Sequence, residues 1–88
     1  MNETPPLMEF PNEFPIKVMG RRDADLRGIT QAIIERHAGT MPESRIKTRT
    51  SADGNFIALT YTVTAHSREQ LDDIYRELTA CKAVLMAL

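Results

Sequence analysis

The chain has little of several residue types on which particular protein classes depend. It contains one cysteine, Cys81, and no tryptophan, with two tyrosines and three phenylalanines among 88 residues. A single cysteine cannot form an internal disulfide, which excludes a disulfide-stabilised secreted scaffold. The longest apolar run, residues 83–88, is far shorter than the roughly 20 residues that cross a bilayer. Because no signal-peptide pattern is present either, we expect a cytoplasmic protein without membrane contact.

The chain also lacks an excess of charge of either sign. Eleven Lys and Arg against twelve Asp and Glu give a formal net charge of -1. Proteins that bind nucleic acid through counterion release are usually strongly basic, so this balance disfavours a nucleic-acid partner. Apolar residues make up 42% of the chain, which is typical of globular proteins. A chain of this length has room for one hydrophobic core.

The N-terminal residues 1–13 are predicted to form an arm, and residues 14–88 a single domain. The first six residues are mostly polar and include two prolines, as flexible segments often do. Three apolar residues and two further prolines follow: Leu7, Met8, Phe10, Pro11 and Pro15. Because proline lacks a backbone N–H, we expect this stretch to lie extended across the surface rather than to pair inside the sheet.

A strand followed by a helix is predicted next. Residues 16–19 form the strand, and Gly20 can adopt the positive φ that lets the chain leave it. Asp23 is a suitable N-cap, and Gly39 stands where a helix commonly ends. Between them, apolar side chains recur at the spacing of one helical face: Leu26, Ile29, Ile33 and Ile34. The helix is therefore predicted at residues 24–38.

Residues 44–65 predict a β-hairpin. Residues 44–50 and 55–65 both alternate, and Asp53-Gly54 between them is a strong turn dipeptide. With these two residues as the loop, the facing pairs are Ile46 with Tyr61, Thr48 with Leu59, Thr50 with Ile57, Arg45 with Thr62, Lys47 with Thr60 and Arg49 with Ala58. One face is then apolar and packs on a core, whereas the other carries cations and threonines and can meet water.

A second helix and a last strand complete the pattern. Ser67 and Gln70 form a capping box ahead of an apolar stripe, which consists of Leu71, Ile74, Tyr75 and Leu78. Residues 83–88 read as a terminal strand. With right-handed crossovers, this order predicts an α+β, ferredoxin-like βαββαβ sandwich. Its four-stranded antiparallel sheet has the order 4-1-3-2, with both helices on one face.

Short stretches along most of the chain carry a family resemblance. They include Glu9-Phe10-Pro11, Lys17-Val18-Met19-Gly20, Arg36-His37-Ala38, Tyr75-Arg76-Glu77-Leu78 and Val84-Leu85-Met86-Ala87-Leu88. In these the chain resembles the YbeD family, small bacterial proteins of unassigned biochemical function. The resemblance implies a fold similar to the ACT regulatory domains, which pair through their sheets and bind small metabolites, often amino acids. It implies no catalytic motif, and it suggests a regulatory role in lipoate metabolism.

The first candidate site is a partner surface on the open side of the sheet, and its residues are Lys17, Arg45, Lys47, Arg49, Thr60, Thr62, Leu85 and Ala87. RNA-recognition modules of this topology bind on the same side, but threonines stand here where those modules carry stacking aromatic residues. The cations have a second interpretation, which is protection of an edge strand from pairing with other chains. Since the last strand is apolar toward both sides, we expect either the arm or a second subunit to cover it.

The second candidate site is a ligand or anion site at the first strand-helix turn, formed by Gly20, Arg21, Arg22 and Asp23. Exposed amides at a helix N-terminus and two guanidinium groups can hold a carboxylate or phosphate. The pattern matches neither a P-loop nor a dinucleotide-binding fingerprint, so a solvated turn is the alternative interpretation.

No residues have the spacing of a catalytic or metal site. His37, His66 and Cys81 lack neighbours that would complete a zinc site or a nucleophile-base pair. We therefore expect no enzyme activity, cofactor or metal. The favoured function is a regulatory or binding domain that acts through a protein partner or a homodimer. An RNA-binding module and a small-metabolite sensor are the alternatives.

Overall fold

The structure is a computed structural model that describes residues 9–88, and this part of the chain forms four strands and two helices. The elements are β1 (Asn12–Arg21), α1 (Leu26–Ala38), a 3-10 turn (Glu43–Arg45), β2 (Ile46–Thr50), β3 (Phe56–Ala65), α2 (Arg68–Ala80) and β4 (Val84–Ala87). The strands are antiparallel in the order β2-β3-β1-β4. This is the predicted order counted from the other edge, so the ferredoxin-like fold is confirmed.

The first strand begins four residues earlier than expected and contains a proline. β1 pairs with β3 from Asn12 onward, and Pro15 lies opposite Thr62, so the expectation that the proline-containing stretch avoids the sheet is wrong for residues 12–15. The reason lies in the direction of the backbone groups. The N–H and C=O of Lys17 both bond to Leu88, on the β4 side. Alternate residues present their backbone to the same side, so the N–H that Pro15 lacks would not have bonded to β3.

The predicted division into an arm and a domain is only partly covered by the described residues. β1 starts at Asn12, so the last two positions of the arm belong to the sheet. Leu7 and Met8 lie outside the described residues, and Phe10 is 37% exposed. Docking of an arm on the domain stays a prediction.

Both helices pack on the same face of the sheet and enclose the core. The sheet contributes Ile16, Val18, Leu59, Tyr61 and Val63, each fully buried, and the helices contribute Leu26, Ile33, Ile34, Leu71, Ile74 and Leu78. Burial of one such side chain contributes roughly 1.5 to 3 kcal/mol, so this layer is the main source of stability. Ile29, expected in the stripe of α1, is 39% exposed, and Thr30 is buried in its stead.

The buried Thr30 is explained by a hydroxyl pair. Its Oγ1 donates to the carbonyl oxygen of Leu26 at 2.8 Å, which leaves the oxygen free to accept from the Tyr61 hydroxyl at 2.7 Å. Burial raises the pKa of Tyr61, because the phenolate would lose hydration. A polar pair therefore lies between helix and sheet with its hydrogen bonds satisfied.

The first helix begins at Leu26 because Asp25, not Asp23, is its N-cap. The Asp25 carboxylate accepts from the Gly28 N–H at 3.2 Å. Gly39 ends the helix with a φ of 82°, as its position in the sequence predicts, since this left-handed conformation favours glycine.

Removal of this cap is expected to destabilise the protein. Asp25→Ala removes the acceptor for a helix N–H, which costs about 1 kcal/mol of unfolding free energy. Asp25→Asn, which keeps an acceptor oxygen, is the matched control and should stay near the wild-type value. Urea unfolding followed by circular dichroism measures both, and equal stability of all three proteins would contradict the role of Asp25.

The second helix starts at the predicted N-cap, Ser67, but the side chain of Gln70 accepts from a different backbone N–H than the capping box predicts. The Ser67 hydroxyl accepts from the Gln70 N–H at 3.0 Å, as expected. The Gln70 side chain accepts from the N–H of His66 at 2.6 Å rather than from that of Ser67, and it also donates to the His37 carbonyl at 2.9 Å. Gln70 thus ties the start of α2 to the end of α1.

The β2–β3 hairpin has the predicted register but a longer loop. Residues 46–50 of β2 face the expected partners on β3, whereas the loop spans residues 51–55 and the Gly54 N–H closes a turn on the Ser51 carbonyl at 2.9 Å. Gly54 has the positive φ of 79°. Arg45 lies in the 3-10 turn ahead of β2, so its expected strand pairing is wrong.

The last strand is shorter than expected and irregular. β4 pairs with β1 through Val84, Met86 and Ala87, with a register shift next to Gly20, and Leu88 continues the pairing. None of the helices within residues 9–88 is long and apolar enough to cross a membrane.

Candidate functional site

One face of the sheet is left uncovered by α1 and α2, and it is called the open face below. It comprises every second side chain of β1 and β3, together with Lys47, Arg49, Met86 and Leu88, and Arg45 of the 3-10 turn lies at its edge. Its members on β1 and β3 are Glu13, Pro15, Lys17, Met19, Arg21, Phe56, Ala58, Thr60, Thr62 and Thr64. The open face thereby brings together the partner residues predicted on β1, β2 and β3, which are Lys17, Lys47, Arg49, Thr60 and Thr62.

The open face concentrates positive charge. Its cations are Lys17, Arg21, Arg45, Lys47 and Arg49. Within the described residues, Glu13 is the one acid on it. Among residues 9–88, this face therefore carries five of the 11 cations and one of the 11 acids, although the whole chain has a net charge of -1. Arg21 joins the set because β1 continues past Met19, where the sequence predicts its end.

Arg45 is bound at the edge of the open face. Its guanidinium donates to the Glu13 carboxylate and, at 3.1 Å, to the Thr62 carbonyl. The Thr64 hydroxyl donates to the other oxygen of Glu13 at 3.0 Å. These bonds, that of Arg45 first and then that of Thr64, lower the pKa of Glu13. Of the three predicted β2-side cations, Arg45 is thus engaged within the protein.

Two exposed apolar side chains extend the open face toward β4. Met86 lies opposite Met19 and is 48% exposed. Leu88, bonded to the backbone of Lys17, is 60% exposed. Met19, which is half-buried, joins these two side chains to the cationic part of the face. The edge of the open face at β4 is therefore apolar.

The two β4 residues predicted for the partner surface are placed differently. Ala87 lies opposite Val18 and packs against the core, so its expected position on the open face is wrong. Leu85 is 58% exposed at the register shift. Here β4 has one residue more than β1, and this extra residue changes the alternation on which the expectation depended.

Phe56 is an aromatic residue of the open face that the prediction, based on the threonines of β3, did not include. It is 39% exposed, and the Arg21 guanidinium lies 5.7 Å from the centre of its ring, within cation–π range. The signal was available, because Phe56 has the same parity as Ala58 and Thr60 on β3.

The second candidate site, at the β1–α1 turn, forms an open cleft of about 330 Å³ together with the hairpin tip. The cleft is lined by Arg21, Arg22, Asp23, Gly54 and Asn55. The Arg22 N–H donates to the Asn55 carbonyl at 2.9 Å, and Arg21 lies 3.8 Å from the Asp23 carboxylate. Gly20 does not line this cleft. A ligand role for the turn stays a prediction.

Two details weaken the anion-site interpretation of this turn. The start of α1 already holds a carboxylate, that of Asp25, on the Gly28 N–H. Gly20 does not have the expected positive φ, since Gly39 and Gly54 are the residues with positive φ in the described part of the chain. A Cβ at Gly20 would instead lie 2.5 Å from the Ala83 carbonyl oxygen and 2.8 Å from a Leu26 methyl. Close packing therefore explains this glycine.

His37 contacts the second helix, and Cys81 packs beside the core. His37 Nε2 lies 2.6 Å from a carboxylate oxygen of Glu77, which also accepts from Arg36, so this cluster links the two helices. Cys81 is half-buried beside the core. Within residues 9–88, no three His, Cys, Asp or Glu side chains are grouped so as to hold a metal ion.

Comparison with known proteins identifies the family. Residues 5–88 match the family described as "Protein of unknown function (DUF493)". The chain belongs to this family. DUF493 thus accounts for nearly the whole sequence, and the resemblance to small bacterial proteins of unknown function is confirmed.

Relatives of this DUF493 chain carry the name "UPF0250 protein". A "UPF0250 protein" of Paraburkholderia phytofirmans is 44% identical over 82 residues, which cover 93% of this chain and 92% of the relative. Another, of Chromobacterium violaceum, is 42% identical over 87 residues, which cover 99% and 98%. Neither name states an activity.

A solved structure shares the fold. The C-terminal domain of the MgtC protein from Mycobacterium tuberculosis, determined in solution, superposes with a TM-score of 0.65. It covers 93% of this chain and 89% of its own, at 18% sequence identity. At this identity the likeness concerns the fold alone.

Proposed function

We propose that the chain is a non-catalytic regulatory domain that binds a protein partner on its open face. The observation that carries this proposal is the separation of charge: within residues 9–88 the face has five cations and one acid, on a chain whose net charge is -1. Exposed apolar side chains, Met86 and Leu88, adjoin these cations. Mixed apolar and arginine-rich surfaces are typical of protein interfaces. The resemblance to YbeD-like proteins adds lipoate metabolism as the process that such a partner would serve.

A protein fits the open face better than RNA does. RNA-binding sheets of this topology stack bases on aromatic side chains of the two central strands. Here Phe56 is the aromatic residue on that face within the described chain, and Arg21 already lies over it. The central positions are occupied by Thr60 and Lys17, which cannot stack bases.

A different protein also fits better than a second copy of the chain. Two open faces that pack on each other would bring two sets of cations together, and like charges in an interface cost free energy. The apolar residues of β4 are few, so their contact would offset little of that cost.

Site-specific photo-crosslinking tests the proposal. A photoreactive amino acid replaces Thr60, in the middle of the open face, or Asp72, exposed on α2, and the full chain is irradiated in its own cells. We expect a discrete protein adduct from position 60 and none of that mass from position 72. Absence of an adduct at position 60, an RNA adduct, or an adduct of two copies would overturn the proposal.

A further inference from the structure

The open face has a cationic half and an apolar half, which restricts the partner it can bind. The cationic half extends from Lys17 to Lys47 and Arg49, and the apolar half comprises Met19, Met86 and Leu88. Resting on the proposed function, we infer that the partner presents an acidic protein surface with an apolar side chain beside its carboxylates. The carboxylates contact the β2 side, and the apolar side chain contacts the β4 side.

The cations are close enough to act on a partner together. Lys17 and Lys47 flank Thr60 on the two neighbouring strands, so about 10 Å separates their backbones, and Arg49 follows Lys47 at about 7 Å. None of these three has a salt-bridge partner within residues 9–88. Their spacing is about one Debye length, so their repulsion persists in dilute salt. Carboxylates from a partner relieve that repulsion, and this is the electrostatic complementarity that selects an acidic surface.

The apolar half determines where the partner's apolar side chain lies. Met86 and Leu88 are about half exposed or more, and Met19 continues them toward the cations. Methionine side chains are flexible and polarizable, so they fit partners of varied shape. Contact with this half adds affinity that salt does not screen, whereas contact with the cationic half is salt-sensitive.

The test measures the yield of the position-60 protein adduct in cell extract. Lys47→Glu with Arg49→Glu reverses two charges of the open face, and Arg68→Glu with Arg76→Glu makes the same change of net charge on α2. We expect the first pair to lower the yield at least about tenfold and the second to leave it within about twofold. Raising NaCl from about 50 to about 300 mM should also lower the yield. Circular dichroism melts check that both variants fold.

The possible failures are distinguishable. An adduct that survives both charge reversal and salt overturns the acidic partner while the proposed protein-binding function stands. Absence of any position-60 protein adduct overturns the proposed function itself. Cosedimentation of the chain with phosphatidylglycerol vesicles, lost in Lys47→Glu with Arg49→Glu, would assign the face to a lipid surface and overturn the inference as well.

Discussion

Replacement of Gly20 by alanine is expected to destabilise the fold by about 2 to 3 kcal/mol, because the added methyl has no room. A Cβ at this position would lie 2.5 Å from the Ala83 carbonyl oxygen and 2.8 Å from Leu26. The first of these atoms belongs to the backbone, so β1 and the α2–β4 connection must separate to accept it. Urea unfolding should show the loss as a lower midpoint, and the melting temperature should fall by about 8 °C or more.

Gly28→Ala is the matched control for this substitution. A Cβ at Gly28 would meet only the side chain of Asp25, at 2.2 Å from its nearest carboxylate oxygen. That side chain can turn away at the loss of its cap, about 1 kcal/mol, while alanine gains up to about 1 kcal/mol of helix propensity. The net change is expected to be near zero. A Gly20→Ala protein as stable as Gly28→Ala would show that the fit around Gly20 is not tight.

The topology could be predicted from the sequence because it depends on alternation. Every second side chain of β3 is buried from Leu59 to Ala65, and a shift by one residue would have placed Leu59 and Tyr61 on the open face. The observed register is therefore the predicted one, although the loop is longer than the dipeptide Asp53-Gly54 suggested. The alternation of buried and exposed side chains therefore determines the β2–β3 register, and the turn residues need only be compatible with it.

The ends of β1 could not be predicted by local rules. Proline is disfavoured inside sheets because it lacks a backbone N–H. At Pro15 that N–H would face the β4 side of β1, where no described residue of β4 is paired, so no hydrogen bond is lost. Whether a strand has a neighbour at a given point is a property of the whole sheet. The same holds at the other end, where β1 continues to Arg21.

The composition of the open face depends on where β1 begins and ends. A strand predicted at residues 16–19 leaves Glu13 and Arg21 outside the sheet. The sequence pattern therefore predicts neither the bond from Arg45 to Glu13 nor the contact of Arg21 with Phe56. The concentration of charge arises only when three strands are placed side by side. The net charge of -1 from the composition averages over the cationic open face and the rest of the chain, so it does not reveal that face.

Leu59→Ala is expected to cost about 3 kcal/mol, and Ile57→Ala, two residues earlier on the same face of β3, about half of that. The alternation of the sequence treats the two positions as equivalent. In the structure Leu59 is fully buried, whereas Ile57 is only half-buried, because burial decreases along β3 toward the hairpin tip. On β2, residues 47–50 are exposed on both faces of the sheet.

The cost of a cavity increases with the packing around the deleted atoms, so the comparison of these two variants measures how far the helices cover the sheet. Urea unfolding with a common slope for both proteins gives the two free energies. Equal losses would mean that the helices cover the core side of the hairpin as fully as they cover the centre of the sheet. A loss at Leu59 about twice that at Ile57 would show that the helix layer ends before the hairpin tip, so that the β2–β3 hairpin extends beyond the core.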